Sequence, residues 1–156
     1  MSEQKPTIEL VREFHSTFDH PIAPIPTVGT RELRELRIAL IAEELSELCV
    51  ALQVELRLHV FIPGITPGGC TLKVNALENS HIDLVEAADA LGDIDYVVAG
   101  TNLALGIPAD KVINEIHRSN MSKNGPDGIP LRREDGKILK GPNYTPPQLE
   151  KIIYPE

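Results

Sequence analysis

The chain has 156 residues, with 15 Lys and Arg against 23 Asp and Glu, for a formal charge of −8. That length suits one domain with one core, and the acidic balance excludes polymeric DNA or RNA as a partner, since nucleic-acid backbones are met by clustered Lys and Arg. A small phosphorylated ligand stays compatible, provided metal cations stand between its phosphates and the acids. No run of about 18 apolar residues is available to span a membrane. No apolar leader flanked by basic residues is present either, so the expected compartment is the cytoplasm, and Cys49, in an apolar helical run, reads as a small core residue.

In chain order, "TIELVREFHSTF" places Ile8, Val11, Phe14 and Phe18 at helical spacing and predicts a short docking helix. "HPIAPIPTVG", with prolines at 21, 24 and 26, ends it in an extended connection. A long helix is predicted from Thr30 as N-cap to about His59, its apolar face running through Leu33, Leu36, Leu40, Ile41, Leu45, Leu48, Leu52 and Leu56. Arg31, Arg34 and Arg37 precede the acids of this helix and read as ion-pair partners for Glu32 and Glu35. The Gly- and Pro-rich stretch Phe61 to Asn79 predicts a loop or insertion. "SHID" matches a Ser-x-x-Asp capping box, which assigns Asp83 a capping role and opens a second long helix, closed by Gly106 after Leu105. Pro108 suits the first position of a helix ending near Lys123, and from Asn124 an ordered but irregular tail is expected. The fold class is therefore all-α: two long antiparallel helices plus shorter ones in a bundle completed by oligomerisation.

The acids carry the chemistry. In "EELSE" Glu43, Glu44 and Glu47 lie three and four apart, so their carboxylates can converge on one side of the helix. In "DLVEAADALGDIDYVV" Glu86, Asp89 and Asp93 fall within an arc of about 60°. A solvated helix face explains one such patch. Two patches set among Ala, Leu, Val and Ile, with few lysines placed to pair them, point to a divalent cation. Hard ions such as Mg²⁺ or Mn²⁺ take carboxylate oxygens and clamp polyphosphates. A di-iron centre would need Glu-x-x-His on two helices, and Glu78-x-x-His81 is the single match.

These residues resemble a known family. Glu43-Glu44-x-x-Glu47 followed by Glu86-x-x-Asp89 is similar to the EExxE and ExxD signature of the MazG-like, all-α NTP pyrophosphatases, which include dimeric dUTPases and phosphoribosyl-ATP pyrophosphohydrolase relatives. "ADALGDIDYVVAGTNLALGI", "EIHRSNMSK" and "REDGKILKGPNYTPP" extend the resemblance, toward the branch often labelled Cof-like or phosphoribosyl-ATP pyrophosphohydrolase-like and found in bacteria and phages, over roughly Ile8 to Ile153. The resemblance implies cleavage of a nucleoside triphosphate between its α and β phosphates, for nucleotide-pool control. Water attacks phosphorus while two or three Mg²⁺ ions, or Mn²⁺ in their place, neutralise phosphate charge. It further implies Glu44 and Glu47 as metal ligands, with Glu43 as the acid that orients or deprotonates the water. The second motif has two registers. Read literally, ExxD gives Glu86 and Asp89; anchored on "LGDIDYV", it gives Asp93 and puts Ala90 where the family's Glu should stand. Asp89 and Asp93 are taken as ligands, with Glu86 bound directly or through a neighbour. For phosphate and sugar the resemblance implies Asn120, Lys123, Lys137, Lys140 and Tyr144, while Arg118 can equally pair with Glu115. A homodimer or homotetramer is implied. Phe14, Phe18 and Tyr144 are available to stack on a base, and dGTP and dUTP are the substrates the relatives suggest. The competing reading is a non-catalytic helical protein that binds nucleotide or cation for regulation or assembly.

Overall fold

The computed structural model describes residues 5–62, 64, 70–78, 81–125 and 128–155. Among these are helices α1 (Thr7–Thr17), α2 (Arg31–Ala51), α3 (Leu84–Leu105), α4 (Ala109–Met121) and α5 (Glu150–Ile153), with strands β1 (Val54–His59) and β2 (Thr71–Ala76). The chain divides into two compact units, Met1–Gly29 with Gly100–Glu156 and Thr30–Ala99. A purely helical expectation thus gives way to a mostly helical fold carrying a two-stranded antiparallel sheet.

In the Thr30–Ala99 unit, α2 starts as its sequence dictates, with the Thr30 hydroxyl accepting from the Leu33 N–H at 3.1 Å. It does not reach His59. Helix ends at Ala51, Gln53 turns to φ 54°, and the chain leaves as β1. β1 and β2 pair in the register Val54↔Ala76 to His59↔Thr71. The excursion is closed at its root by the Leu77 N–H donating to Gln53 O at 2.9 Å. The second long helix also begins later than expected. Asp83 Oδ1 accepts from the N–H groups of Val85 and Glu86 at 2.9 and 3.2 Å, so Asp83 is itself the N-cap of α3. Ser80 of the expected capping box lies outside the described residues.

The Asp83 N–H donates to Ala51 O at 3.0 Å, so α3 sets out beside the end of α2 and runs back along it. Ala87 and Ala90, 4% and 2% exposed and one turn apart, are among the small residues that α3 buries.

Arg37 departs from the ion-pair expectation. It is 4% exposed, and its Nε and Nη2 have no hydrogen-bond partner among the described residues. Burial lowers its pKa, because the charged form is desolvated. Arg31 does pair with Glu35, at 2.8 Å. Replacing an uncompensated buried guanidinium by an apolar chain of similar volume removes a desolvation penalty. Arg37→Met is therefore expected to gain about 1 kcal/mol or more, roughly 2–4 °C in Tm for a chain this size. A calorimetric scan showing a loss would mean that Arg37 is paired in solution.

In the other unit, α1 buries Val11 and His15, while Phe14 and Phe18 are exposed. Of the predicted row Ile8, Val11, Phe14 and Phe18, Val11 is buried and Ile8 half-buried, and His15 takes the buried place expected of the phenylalanines. His15 Nδ1 donates to Pro21 O at 2.9 Å, tying the proline-rich connection to α1. That connection then follows the end of α3, with Ala23 N–H on Leu103 O and Thr27 N–H on Leu105 O, both 2.9 Å. Gly106, at φ 65°, stops the helix as expected. Its N–H meets Leu103 O and the Ile107 N–H meets Asn102 O, the paired bonds of a Schellman motif. Pro108 sits at the cap position just before α4 rather than at its first turn.

The tail is held by side chains. Glu115 receives two bonds from Arg118 at 2.8 Å and one from the Gln148 N–H at 2.7 Å. These donors hold the Glu115 carboxyl well below the usual range, at about 2, with the Arg118 bond the larger cause.

Candidate active site

Helical spacing in the Thr30–Ala99 unit brings the two acidic patches to one another. Glu43 and Glu47 are exposed on α2 and Glu44 is half-buried; Glu86, Asp89 and Asp93 are exposed on α3. Burial raises the Glu44 carboxyl above the usual range, and the charges of Asp93, Glu47, Glu43 and Asp89 raise it further, in that order. Four of the five other predicted acids therefore bear on one carboxyl, from both helices. Glu86 is not among them. As the side chains stand, no three His, Cys, Asp or Glu among the described residues converge into a set that grips one ion. The two observations are compatible, because Coulomb repulsion acts over distances well beyond a metal–oxygen bond of about 2–2.6 Å. The donors are all carboxylate oxygens, the kind that Mg²⁺ and Mn²⁺ accept.

Beside these acids lies an open cleft of about 500 Å³, lined by Ser46, Glu47, Gln53, His81, Asp83 and Glu86 among others. Glu86 and Glu47 thus share the cleft, while Asp89 and Asp93 bear on Glu44. Ala90, the position that would hold an acid if the motif were anchored on "LGDIDYV", is buried. Ser46, Gln53 and His81 were not among the residues the sequence singled out for the site. Gln53 was hidden by its expected place inside a helix. His81 was visible only as part of Glu78-x-x-His81, and neither residue of that pair is helical, which removes the di-iron arrangement.

The predicted phosphate-binding residues belong to the other unit, where most of them gather. Lys123 Nζ donates to Asn120 Oδ1 at 2.7 Å, and Lys140 Nζ stands 4.5 Å from the centre of the Tyr144 ring. The Tyr144 hydroxyl is lowered below its ordinary pKa by a hydrogen bond with Ser119, then by the charges of Lys140 and Lys123. Asn120, Lys123, Lys140 and Tyr144 therefore form one cluster. Lys137 sits instead in the turn after Arg133, where its N–H donates to Asp135 Oδ1 at 3.2 Å. Arg118 is occupied with Glu115 and with the Thr145 hydroxyl at 2.7 Å. Phe14 and Phe18 form an exposed aromatic pair, their ring centres 4.6 Å apart, with His20 at 5.6 Å from Phe14.

No helix among the described residues is long and apolar enough to cross a membrane. No curated protein matches the chain. Among solved structures it is similar to a candidate NTP pyrophosphohydrolase from Exiguobacterium sp. 255-15, at 24% identity and a TM-score of 0.40, over 95% of this chain and 92% of that one. The family model for phosphoribosyl-ATP pyrophosphohydrolase matches residues 11–120, a span that takes in α2, α3 and all six acids. With that span matched, this chain belongs to the phosphoribosyl-ATP pyrophosphohydrolase family, within the MazG-like all-α NTP pyrophosphatases that its motifs resemble.

Proposed function

We propose that the protein is a divalent-metal-dependent nucleoside triphosphate pyrophosphohydrolase, converting an NTP or dNTP and water to the monophosphate and pyrophosphate, with dGTP and dUTP as the first substrates to test. The observation that carries this reading is the placement of half-buried Glu44 among the charges of four other acids from α2 and α3. Such a cluster favours protons or cations, and at neutral pH a hard divalent ion is the better partner. Family membership supplies the reaction class.

In this reading Glu44, Glu47, Asp89 and Asp93 hold the ions, with Glu86 joining them directly or through a neighbour at the cleft. Bound Mg²⁺ or Mn²⁺ supplies charge neutralisation on the phosphate oxygens and makes water easier to deprotonate. Glu43 orients that water and takes its proton. Asn120, Lys123, Lys140 and Tyr144 are the chain's cluster for phosphate and sugar contact, and Lys137 is a further cation for phosphate. Phe14, Phe18 and Tyr144 offer ring faces to a base. Leu84, Leu91 and Val98 recur every seven residues on α3 and are 75%, 53% and 40% exposed, which supports a homo-oligomer built on that helix.

The test is a panel of NTPs and dNTPs with Mg²⁺ or Mn²⁺, read by release of pyrophosphate and monophosphate. Release of orthophosphate, or no turnover with any base, would overturn the proposal. Nucleotide binding without turnover would favour the regulatory reading.

A further inference from the structure

The cleft beside the acids contains groups that the ion cage leaves without a task. Glu47 lines it and also bears on Glu44, so the cleft opens next to the place proposed for the phosphates. At about 500 Å³ it has the size of a small-ligand site and room for a nucleoside. Val50 and Ala51 give it an apolar patch for a flat ring, and Ser46 and Gln53 line it with them.

Gln53 is held there by backbone and side chain alike. Its φ of 54° lies in the left-handed region, which costs a non-glycine residue strain and persists only where the surroundings fix it. They do so here, since the Gln53 N–H donates to Val50 O at 3.1 Å and Gln53 O accepts from the Leu77 N–H at 2.9 Å. The side-chain Nε2 also donates to Val50 O, at 2.8 Å. A carbonyl oxygen can only accept, so this bond settles which end of the amide is which. Oε1 is left as an acceptor with no donor among the described residues. Ser46 gives its hydroxyl hydrogen to Glu43 O at 2.8 Å, so its oxygen too is left to accept. With the carboxylates of Glu47, Asp83 and Glu86, the lining is rich in acceptors.

We propose that this cleft holds the base of the substrate and that Gln53 Oε1 selects bases bearing an exocyclic amino group. The inference rests on the pyrophosphohydrolase reading and narrows it. Guanine, adenine and cytosine bring an NH₂ to such a lining. Uracil and thymine bring one ring N–H between two carbonyls, and carbonyls set against acceptors leave buried polar groups unpaired, which is the larger part of discrimination. Of the two substrates named above, dUTP is therefore the poorer.

Steady-state kinetics with Mg²⁺ tests this on pairs that differ at the amino group: dGTP and dATP against dITP, and dCTP against dUTP. In at least one pair the amino-bearing member should have the higher kcat/KM, by about 10-fold or more. Gln53→Gly, which accepts the left-handed backbone, should bring that ratio close to one by raising KM for the amino-bearing member while kcat is largely kept. Gln53→Asn also tolerates this backbone, withdraws the amide by one carbon and should lower the same ratio, which guards against a glycine variant that folds poorly. A merely structural Gln53 would slow every substrate alike. That outcome, ratios unchanged in both variants, or dUTP or dTTP as the best substrate would overturn the proposal while the pyrophosphohydrolase reading stands. No pyrophosphate release from any substrate would overturn that reading and this inference with it.

Discussion

Glu44→Gln is expected to lower pyrophosphate release about 100-fold or more and, at neutral pH, to raise the melting temperature of the metal-free protein. The activity loss follows from removing one carboxylate from the proposed ion cage, an effect comparable to deleting a charge-stabilising group from an active site. The stability gain follows from the same crowding. The folded-state pKa of Glu44 is raised, by burial first and then by Asp93, Glu47, Glu43 and Asp89. A raised carboxyl binds its proton more tightly in the folded chain than in the unfolded one. Its stabilising contribution is complete below the ordinary glutamate value of 4.5 and disappears as pH rises through the folded-state value. Above that point the folded chain carries a repulsion the unfolded chain does not. Neutral glutamine removes it, at a few tenths of a kcal/mol per like-charged neighbour, or about 2–4 °C in total. The gain should shrink toward zero below about pH 4, where Glu44 is protonated anyway. Mg²⁺ or Mn²⁺ should raise the melting temperature of the parent and have less effect on the variant. A variant that keeps full activity, or melts lower at pH 7, would remove Glu44 from the proposed site.

Gly106→Ala should be among the most damaging single substitutions outside that site. At φ 65° any Cβ is strained, and here it would fall 2.1 Å from Ile25 O and 2.5 Å from Ile25 C. Backbone cannot give way as a side-chain tip can, because Ala23 and Thr27 are hydrogen-bonded to Leu103 and Leu105 on either side of the clash. Strain plus displaced backbone gives a loss of about 3 kcal/mol or more, near 6–12 °C. Denaturant unfolding of the purified variant would measure it. A loss below about 1 kcal/mol would show that the proline-rich connection moves away freely.

Much of this was readable from residue order because the signals were local. Thr30, Gly106 and the i, i+3, i+4 spacing of Glu43, Glu44 and Glu47 act through neighbours a turn away. The end of α2 was not readable, and the reason is arithmetic. Leu48, Leu52 and Leu56 are spaced by four, which fits a helical stripe and is also a multiple of the strand period of two. The sequence therefore continues an apolar face across Gln53 while the backbone changes from helix to strand. Arg37 was misread for a related reason. Its position in an Arg/Glu alternation suggests a solvated ion pair, whereas its burial depends on contacts that no local pattern encodes. Lys137 lay in the same motif as Lys140, yet its backbone closes the turn that begins at Arg133, whereas Lys140 stands over the Tyr144 ring.

The bond from Leu77 to Gln53 has a consequence for how this chain could be rebuilt. The strands leave and return at one point, so the helices on either side experience the whole excursion as a connection of almost no length. Such a segment is a removable cassette: excising Val54–Ala76 and joining its ends by a short turn need not shift the acids of α2 or α3.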